Sequence, residues 1–376
     1  MKKVLLLTTL LCGTLGFSQI SSPPSGGNQK SAVTQYMGLV SVTITYNSPD
    51  VTGPGGQDRA GKIWGQLVPY GLTNLQFGQS TDENPSPWRA GANENTTIQF
   101  SHDVSIEGKP LKAGTYGLHM IPGETEWTVI FSNNSSSWGS YFYNPEEDAL
   151  RVKVTPAANE YNEYLTYEFD ERKQDQCLVS MEWENLKVPF KISVPNLNEL
   201  YVQQIEEELR GSAGFNYQNL VTAANFAVSN NVALDKAEQW ANAAVSAPFV
   251  GQENYTTLST QATVLLALGK TDEAKAAMKK AIFHPTANVF QIHQTGRALI
   301  AQDKDDFALQ VFKWNAERFP KTWPINVGLA RGYSANGDYS KALKHAEMAL
   351  KVAPDKLNQD SLQAAIEKLK NKEDIN

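Results

Sequence analysis

Residues 323–356 read WPINVGLARGYSANGDYSKALKHAEMALKVAPDK, and this stretch decides the architecture of the C-terminal half. Small and apolar residues recur in it at spacings of three and four, the period of a helix that buries one stripe. Gly337 interrupts the period near its middle, and Pro354 ends it. A glycine between two helical patterns supplies the left-handed residue that a tight turn needs. A proline cannot continue a helix, because it lacks the amide donor and its ring clashes with the preceding turn. The stretch therefore predicts a helical hairpin with a defined stop.

Working towards the N-terminus, the same pattern returns. Ala274, Ala308 and Ala342 are 34 residues apart, and Ala237 lies 37 residues before Ala274. Four residues beyond these stand Ala241, Met278, Phe312 and Ala346, and three further on Ala244, Ala281, Asn315 and Ala349. Pro248, Pro285, Pro320 and Pro354 close the units, and Gly296 and Ala330 take the small position of the first helix. A period of this length, with small residues where helices cross, resembles the tetratricopeptide class over about 217–356. Ser361 to Lys370 is an amphipathic segment suited to cap the open end of such an array.

That resemblance implies a concave groove and a protein or peptide partner. Arg297 and Arg331 follow the two small positions and are one repeat apart, so they are predicted to stack, and the resemblance implies that this position faces the concave groove. His293 precedes Arg297 by four residues, one helical turn, and shares its face. Two guanidinium groups in a groove favour a carboxylate or an acidic peptide, since arginine grips carboxylate with a planar fork. The alternative is that both arginines are solvated or paired with acidic residues of the neighbouring hairpin.

The N-terminal half has a different period. Val40 to Tyr46, Thr97 to Phe100, Tyr116 to Ile121, Trp127 to Phe131, Leu150 to Val154, Tyr164 to Phe169, Leu178 to Trp183 and Val188 to Val194 alternate every second residue. Gly, Pro, Asn and Asp bound these runs, which predicts an antiparallel β-sandwich. Asn47 to Ala60 and Thr73 to Pro87 are long Gly/Pro/Asn-rich loops of the kind that carry function. The fold class is thus multidomain, all-β followed by all-α: an antiparallel β-sandwich, then a tetratricopeptide-like α-solenoid.

Residues 1–18 predict a secretory signal peptide. Lys2 and Lys3 precede a short apolar stretch, Val4 to Leu15, and Gly16 and Ser18 fit a cleavage site after Ser18. The protein is therefore expected to be exported, either periplasmic or secreted. Residues 19–30 read as a flexible polar segment, 31–195 as the β-sandwich and 196–376 as the helical domain with its capping helix. No later apolar run is long enough to predict a membrane span. Cys12 leaves with the signal and Cys177 remains alone in an alternating apolar run, so it reads as a small buried hydrophobe.

The β half carries a second resemblance. Trp88-Arg89-Ala90-Gly91-Ala92-Asn93-Glu94-Asn95-Thr96, Leu111-Lys112-Ala113-Gly114-Thr115-Tyr116, Ile121-Pro122-Gly123 and Trp138-Gly139 together resemble the bacterial family called domain of unknown function twenty-nine-eleven. The resemblance covers about 31–194, with Thr73 to Pro87 as an insertion and the Arg59 to Lys62 order rearranged. It implies fold and export but no reaction. Within it Trp88, Arg89, Asn93 and Glu94 are candidate ligand contacts in a cleft under the Thr73 to Pro87 loop. The other reading makes Trp88 a core residue and Arg89 one half of an internal pair with Asn93 and Glu94. Trp64, Tyr70, Trp127, Trp138, Tyr141 and Tyr143 are dense nearby, which makes a glycan a second candidate ligand, although such residues are more often packing.

Of 376 residues 41% are hydrophobic and 19% charged, with net charge −7, which gives no electrostatic footprint for nucleic acid. His102, His119, His284, His293 and His345 show no metal spacing, and His119 alternates within a strand as a structural histidine would. Glycine-rich phosphate loops, nucleophile elbows and dinucleotide fingerprints are absent from the sequence, so no catalytic residue, metal or cofactor is assigned. The leading reading is an exported non-enzymatic binding or scaffold protein. The alternatives are a carbohydrate-binding sandwich with a helical accessory, and a hydrolase with an acid pair on the β-domain loops.

Overall fold

The computed structural model describes residues 28–376, so residues 1–18, for which a signal peptide is predicted, and most of the segment that follows lie outside the described residues. The chain divides into two compact units at Leu197/Asn198.

Among the described residues the first unit holds twelve strands: β1 (Gln29–Met37), β2 (Val40–Ser48), β3 (Thr52–Gly53), β4 (Gln57–Asp58), β5 (Thr97–Phe100), β6 (Val104–Ile106), β7 (Lys109–Leu111), β8 (Gly114–Ile121), β9 (Trp127–Ser132), β10 (Asp148–Val154), β11 (Ala157–Asp170) and β12 (Gln176–Ser193). One sheet has the order β1-β2-β5-β8-β9-β10, a second β11-β12-β6-β7, and β3 pairs with β4 in a small hairpin. Alternate residues of each strand point to opposite faces, and the inner faces of the two large sheets meet. Tyr46 of β2 packs edge-on against Tyr167 of β11 at 4.9 Å, and Phe131 of β9 against Phe190 of β12 at 5.9 Å. Val42, Ile44, Ile98, Leu118, Val179 and Met181 fill the space between them and are inaccessible. This is an antiparallel β-sandwich, as the alternation predicts.

Two details differ from the sequence reading. Gln29 and Lys30, taken as the end of a flexible segment, are already in β1. That strand lies at the edge of its sheet, where one face is open to water, so its side chains stay polar and its alternation is faint. The runs Leu178 to Trp183 and Val188 to Val194 are one continuous strand, β12. Glu184 bends it with a φ of 55°, and the pairing with β11 slips on either side of Asn162, its partner. Cys177 is buried, and that burial pushes its thiol up to about 11.

The second unit holds α1 (Leu197–Leu209), α2 (Tyr217–Ser229), α3 (Leu234–Ser246), α4 (Tyr255–Ala267), α5 (Thr271–Phe283), α6 (Val289–Ile300), α7 (Asp305–Arg318), α8 (Pro324–Ala335), α9 (Tyr339–Leu350) and α10 (Lys356–Lys370). Helices α2 to α9 form four hairpins. Gly269 and Gly337 turn two of them at φ of 76° and 74°, and Asn231 and Asp303 take left-handed φ of 49° and 57° in the other two. Asparagine and aspartate are the residues that bear this conformation best after glycine.

The repeating alanines Ala237, Ala274, Ala308 and Ala342 are all fully buried where helices cross. The column Ala241, Met278, Phe312 and Ala346 is buried as well, although its residues differ greatly in volume. Glycines absorb the largest of them. A methyl placed on Gly296 of α6 or on Gly328 of α8 would lie 2.5 Å from the Phe312 ring, and one on Gly332 of α8 would lie 2.9 Å from it. Phe312 of α7 is therefore a wedge received by glycines from two different hairpins.

Candidate binding sites

The helical unit contains a cleft of about 570 Å³ lined by His293 and Arg297 of α6, Arg331 of α8 and Lys368 of α10. The repeat places the first three: positions 297 and 331 are equivalent in successive hairpins, and His293 sits one turn before Arg297. Among the described residues neither arginine forms an ion pair. The pairing with a neighbouring hairpin that the sequence left open is therefore not formed. Burial and the charge of Arg297 both lower the pKa of Arg331. His293 is held down to about 4, first by burial and then by the two guanidinium groups. Its imidazole is thus neutral at ordinary pH, and its Nδ1 has no hydrogen-bond partner among the described residues.

Lys368 is the residue that sequence reasoning missed. It belongs to the capping helix, outside the repeat, so the alignment of equivalent positions does not reach it. The last residues of the chain turn back onto α8. Ser334 donates to Asp374 at 2.6 Å, Arg331 Nη1 approaches the Ile375 carbonyl at 3.5 Å, and Asn376 Nδ2 donates to the Arg331 carbonyl at 3.1 Å. A short acidic stretch of peptide thus already lies along the Arg331 side of the cleft, on α8.

In the β unit, Thr73 and Ser86 exchange two backbone hydrogen bonds of 2.9 Å and close the loop between them. Beneath it is a cleft of about 220 Å³ lined by Thr73, Leu75, Pro87, Trp88, Arg89 and Ser140, among others. Two of the four predicted contacts, Trp88 and Arg89, line it; Asn93 and Glu94 do not. Arg89 Nη1 donates to the backbone carbonyl of Asn93 at 2.6 Å, while Asn47 Nδ2 donates to the Glu94 carboxylate at 2.6 Å. The expected side-chain pairing of Arg89 with Asn93 and Glu94 is therefore absent: the chain turns at Asn93, at φ 54°, and presents a carbonyl instead.

Trp88 is both wall and core. Its ring lies 5.8, 6.3 and 6.3 Å from those of Trp64, Trp127 and Trp183, stacked on the last at 14°. Trp127 and Tyr143 are buried, and Trp64 joins the tryptophan cluster, so the aromatic residues considered for a sugar do not form one exposed platform. No motif or spacing marks Ser140, whose hydroxyl lies 2.9 Å from Nδ1 of the buried His119. Burial, followed by the charge of Arg89, lowers His119 to about 4. Among the described residues no group of His, Cys, Asp or Glu is arranged to hold a metal ion, and no helix is long and apolar enough to cross a membrane.

Fold and sites together define a two-part protein: a β-sandwich with a loop-covered cleft, and a tetratricopeptide-like helical array with a cationic groove. Residues 28–192, the β half, match the model of the family described as "Protein of unknown function (DUF2911)". Comparison with curated proteins returned no match. The solved structures with similarity include a tetratricopeptide repeat protein from Parabacteroides merdae ATCC 43184, 17% identical with a TM-score of 0.29, covering 47% of this chain and 73% of that one. They also include YrrB, described as a TPR protein with an unusual peptide-binding site, 21% identical with a TM-score of 0.27 over 45% of this chain and 89% of that one. MamA is 13% identical, with a TM-score of 0.28 over 40% of this chain and 79% of that one.

Proposed function

We propose that the protein is an exported scaffold whose helical groove holds an acidic peptide segment of a partner protein, while the β-sandwich carries a second ligand. The observation that carries the reading is the convergence of Arg297, Arg331 and Lys368 on one cleft with no ion pair to either arginine among the described residues. Arg331 is half-buried and Arg297 and Lys368 are exposed, so gathering like charges on one cleft, more than burying them, is what disfavours the empty groove. A groove that gathers three cations is stabilised by an incoming carboxylate, and the fork of each guanidinium gives that contact direction. The Asp374–Asn376 stretch shows that α8 accepts peptide carbonyl, amide and carboxylate groups side by side.

A synthetic Asp/Glu-rich hexapeptide is the probe, with its Asn/Gln counterpart as control. The acidic peptide should bind more tightly than the amide one, and added salt should weaken it. Arg297→Ala/Arg331→Ala should lower its affinity by roughly tenfold or more, the scale of lost charge-assisted hydrogen bonds. Isothermal titration measures this, and full affinity in the double variant at low and moderate salt removes the reading. Export rests on residues 1–18. N-terminal sequencing of the exported species should begin at or near Gln19; an intact Met1 in that fraction contradicts it.

A further inference from the structure

We propose that the cleft under the Thr73–Pro87 loop is a site for a small carboxylic acid with an apolar body, held by Arg89 and Ser140. The proposal rests on the reading of the β-sandwich as a ligand carrier and names the chemistry of what it carries.

The first argument is the state of Arg89. Its guanidinium lies over the Tyr141 ring at 4.8 Å and donates to one neutral backbone carbonyl. Among the described residues it has no carboxylate within 4.0 Å. The neighbouring cavity makes the contrast: its arginine, Arg59, is already paired with Asp50 at 3.0 Å. The charge of Arg89 is felt in the interior, where it helps to keep His119 neutral.

The second argument is that the backbone is bent to hold this group in place. Ala90 and Asn93 adopt φ of 51° and 54° on either side of the turn that supplies the Asn93 carbonyl. Gly139 adopts φ of 58°, and a methyl there would lie 2.5 Å from the guanidinium carbon of Arg89. Non-glycine residues in the left-handed region are strained, and such strain gathers at binding sites. Here three backbone positions keep one unneutralised cation beside a cleft.

The third argument is the rest of the lining. Leu67, Leu75, Pro87 and Trp88 are apolar, and besides Arg89 the polar side chains in the lining are those of Thr73, Ser86 and Ser140. With its proton on Nδ1, the neutral His119 donates to Ser140 Oγ and leaves the hydroxyl proton free for an acceptor in the cleft. A carboxylate bridging Arg89 and Ser140, with an apolar body against Trp88, neutralises the guanidinium and uses both the free hydroxyl proton and the apolar wall. The wall of proline, leucine and tryptophan disfavours a bare inorganic anion, which would lose its hydration there without compensation.

The test uses the whole protein, with benzoate as probe and benzyl alcohol as its uncharged analogue, followed by isothermal titration and by tryptophan emission. Benzoate should bind at least tenfold more tightly than benzyl alcohol. Arg89→Gln should weaken benzoate by roughly tenfold to a hundredfold and Ser140→Ala by about fivefold. The proposal is overturned if Arg89→Gln, folded by circular dichroism, keeps wild-type affinity. Should that variant unfold, the benzoate to benzyl alcohol ratio in the wild type and the loss in Ser140→Ala decide. If the two probes bind equally, the cleft takes an apolar ligand and the carboxylate assignment falls alone. If neither binds, the ligand-carrier reading of the sandwich falls with it.

Discussion

Phe312→Ala is expected to lower stability by about 3–5 kcal/mol, the range for removing a large aromatic ring from a close-packed core. Phe312 is 1% exposed. Its ring fills space that Gly296, Gly328 and Gly332 leave open, and glycines have no side chain to move into the void. The cavity therefore stays, and the cost belongs at the upper end of the range. The complementary change fails for the opposite reason. Gly328→Ala forces a methyl into the ring and should cost about 1–3 kcal/mol by overpacking. Because the two residues touch, the double variant should cost less than the sum of the single ones. Urea unfolding followed at helical wavelengths measures all three. A loss below about 1 kcal/mol for Phe312→Ala would mean that the hairpins close over the gap.

Trp88→Ala is expected to cost about 3–5 kcal/mol, with the tryptophan cluster as the cause. Trp88 stacks on Trp183 and meets Trp64 and Trp127 edge-on, so its removal strips contacts from three other large rings at once. Its backbone also exchanges two hydrogen bonds with Met120, at 2.8 and 2.9 Å, which the substitution leaves intact. The loss is therefore one of packing, and it should appear in urea unfolding together with a weakened near-ultraviolet aromatic signal. A change under about 1 kcal/mol, accompanied by loss of benzoate binding, would instead make Trp88 a ligand platform with little part in the core.

What the sequence discloses here depends on how far apart the interacting residues are in the chain. The helical half is legible because its contacts are local and recur: Ala274, Ala308 and Ala342 each mark the same helix crossing, and all are buried. That register also carries His293, Arg297 and Arg331 into one cleft, since equivalent positions of successive hairpins are neighbours in space. Lys368 escapes it because the capping helix stands outside the repeat. In the β half the alternation exposes the central strands. It hides β1, whose sequence QKSAVTQYM has few apolar residues to mark a buried face. Partners across the sheets are illegible. Asn47, 47 residues before Glu94, is the group that donates to its carboxylate, and His119 meets Ser140 across 21 residues. No spacing rule connects such pairs, because the turn geometry of the loops between them decides who meets whom.

The wedge between hairpins has a consequence for how the array comes apart. In a chain of stacked repeats each unit touches only its neighbours, and unfolding can halt at any weak joint. The joint between the α6/α7 and α8/α9 hairpins is not weak, because one phenylalanine of the first is seated on two glycines of the second. These four helices should open as one block, with a shared hydrogen-exchange protection, even if the hairpins before them open separately. Arg297 and Arg331 lie on opposite sides of that joint. Their separation is then set by a close-packed seam, so a bound peptide meets a pre-spaced pair of charges and does not have to draw the hairpins together.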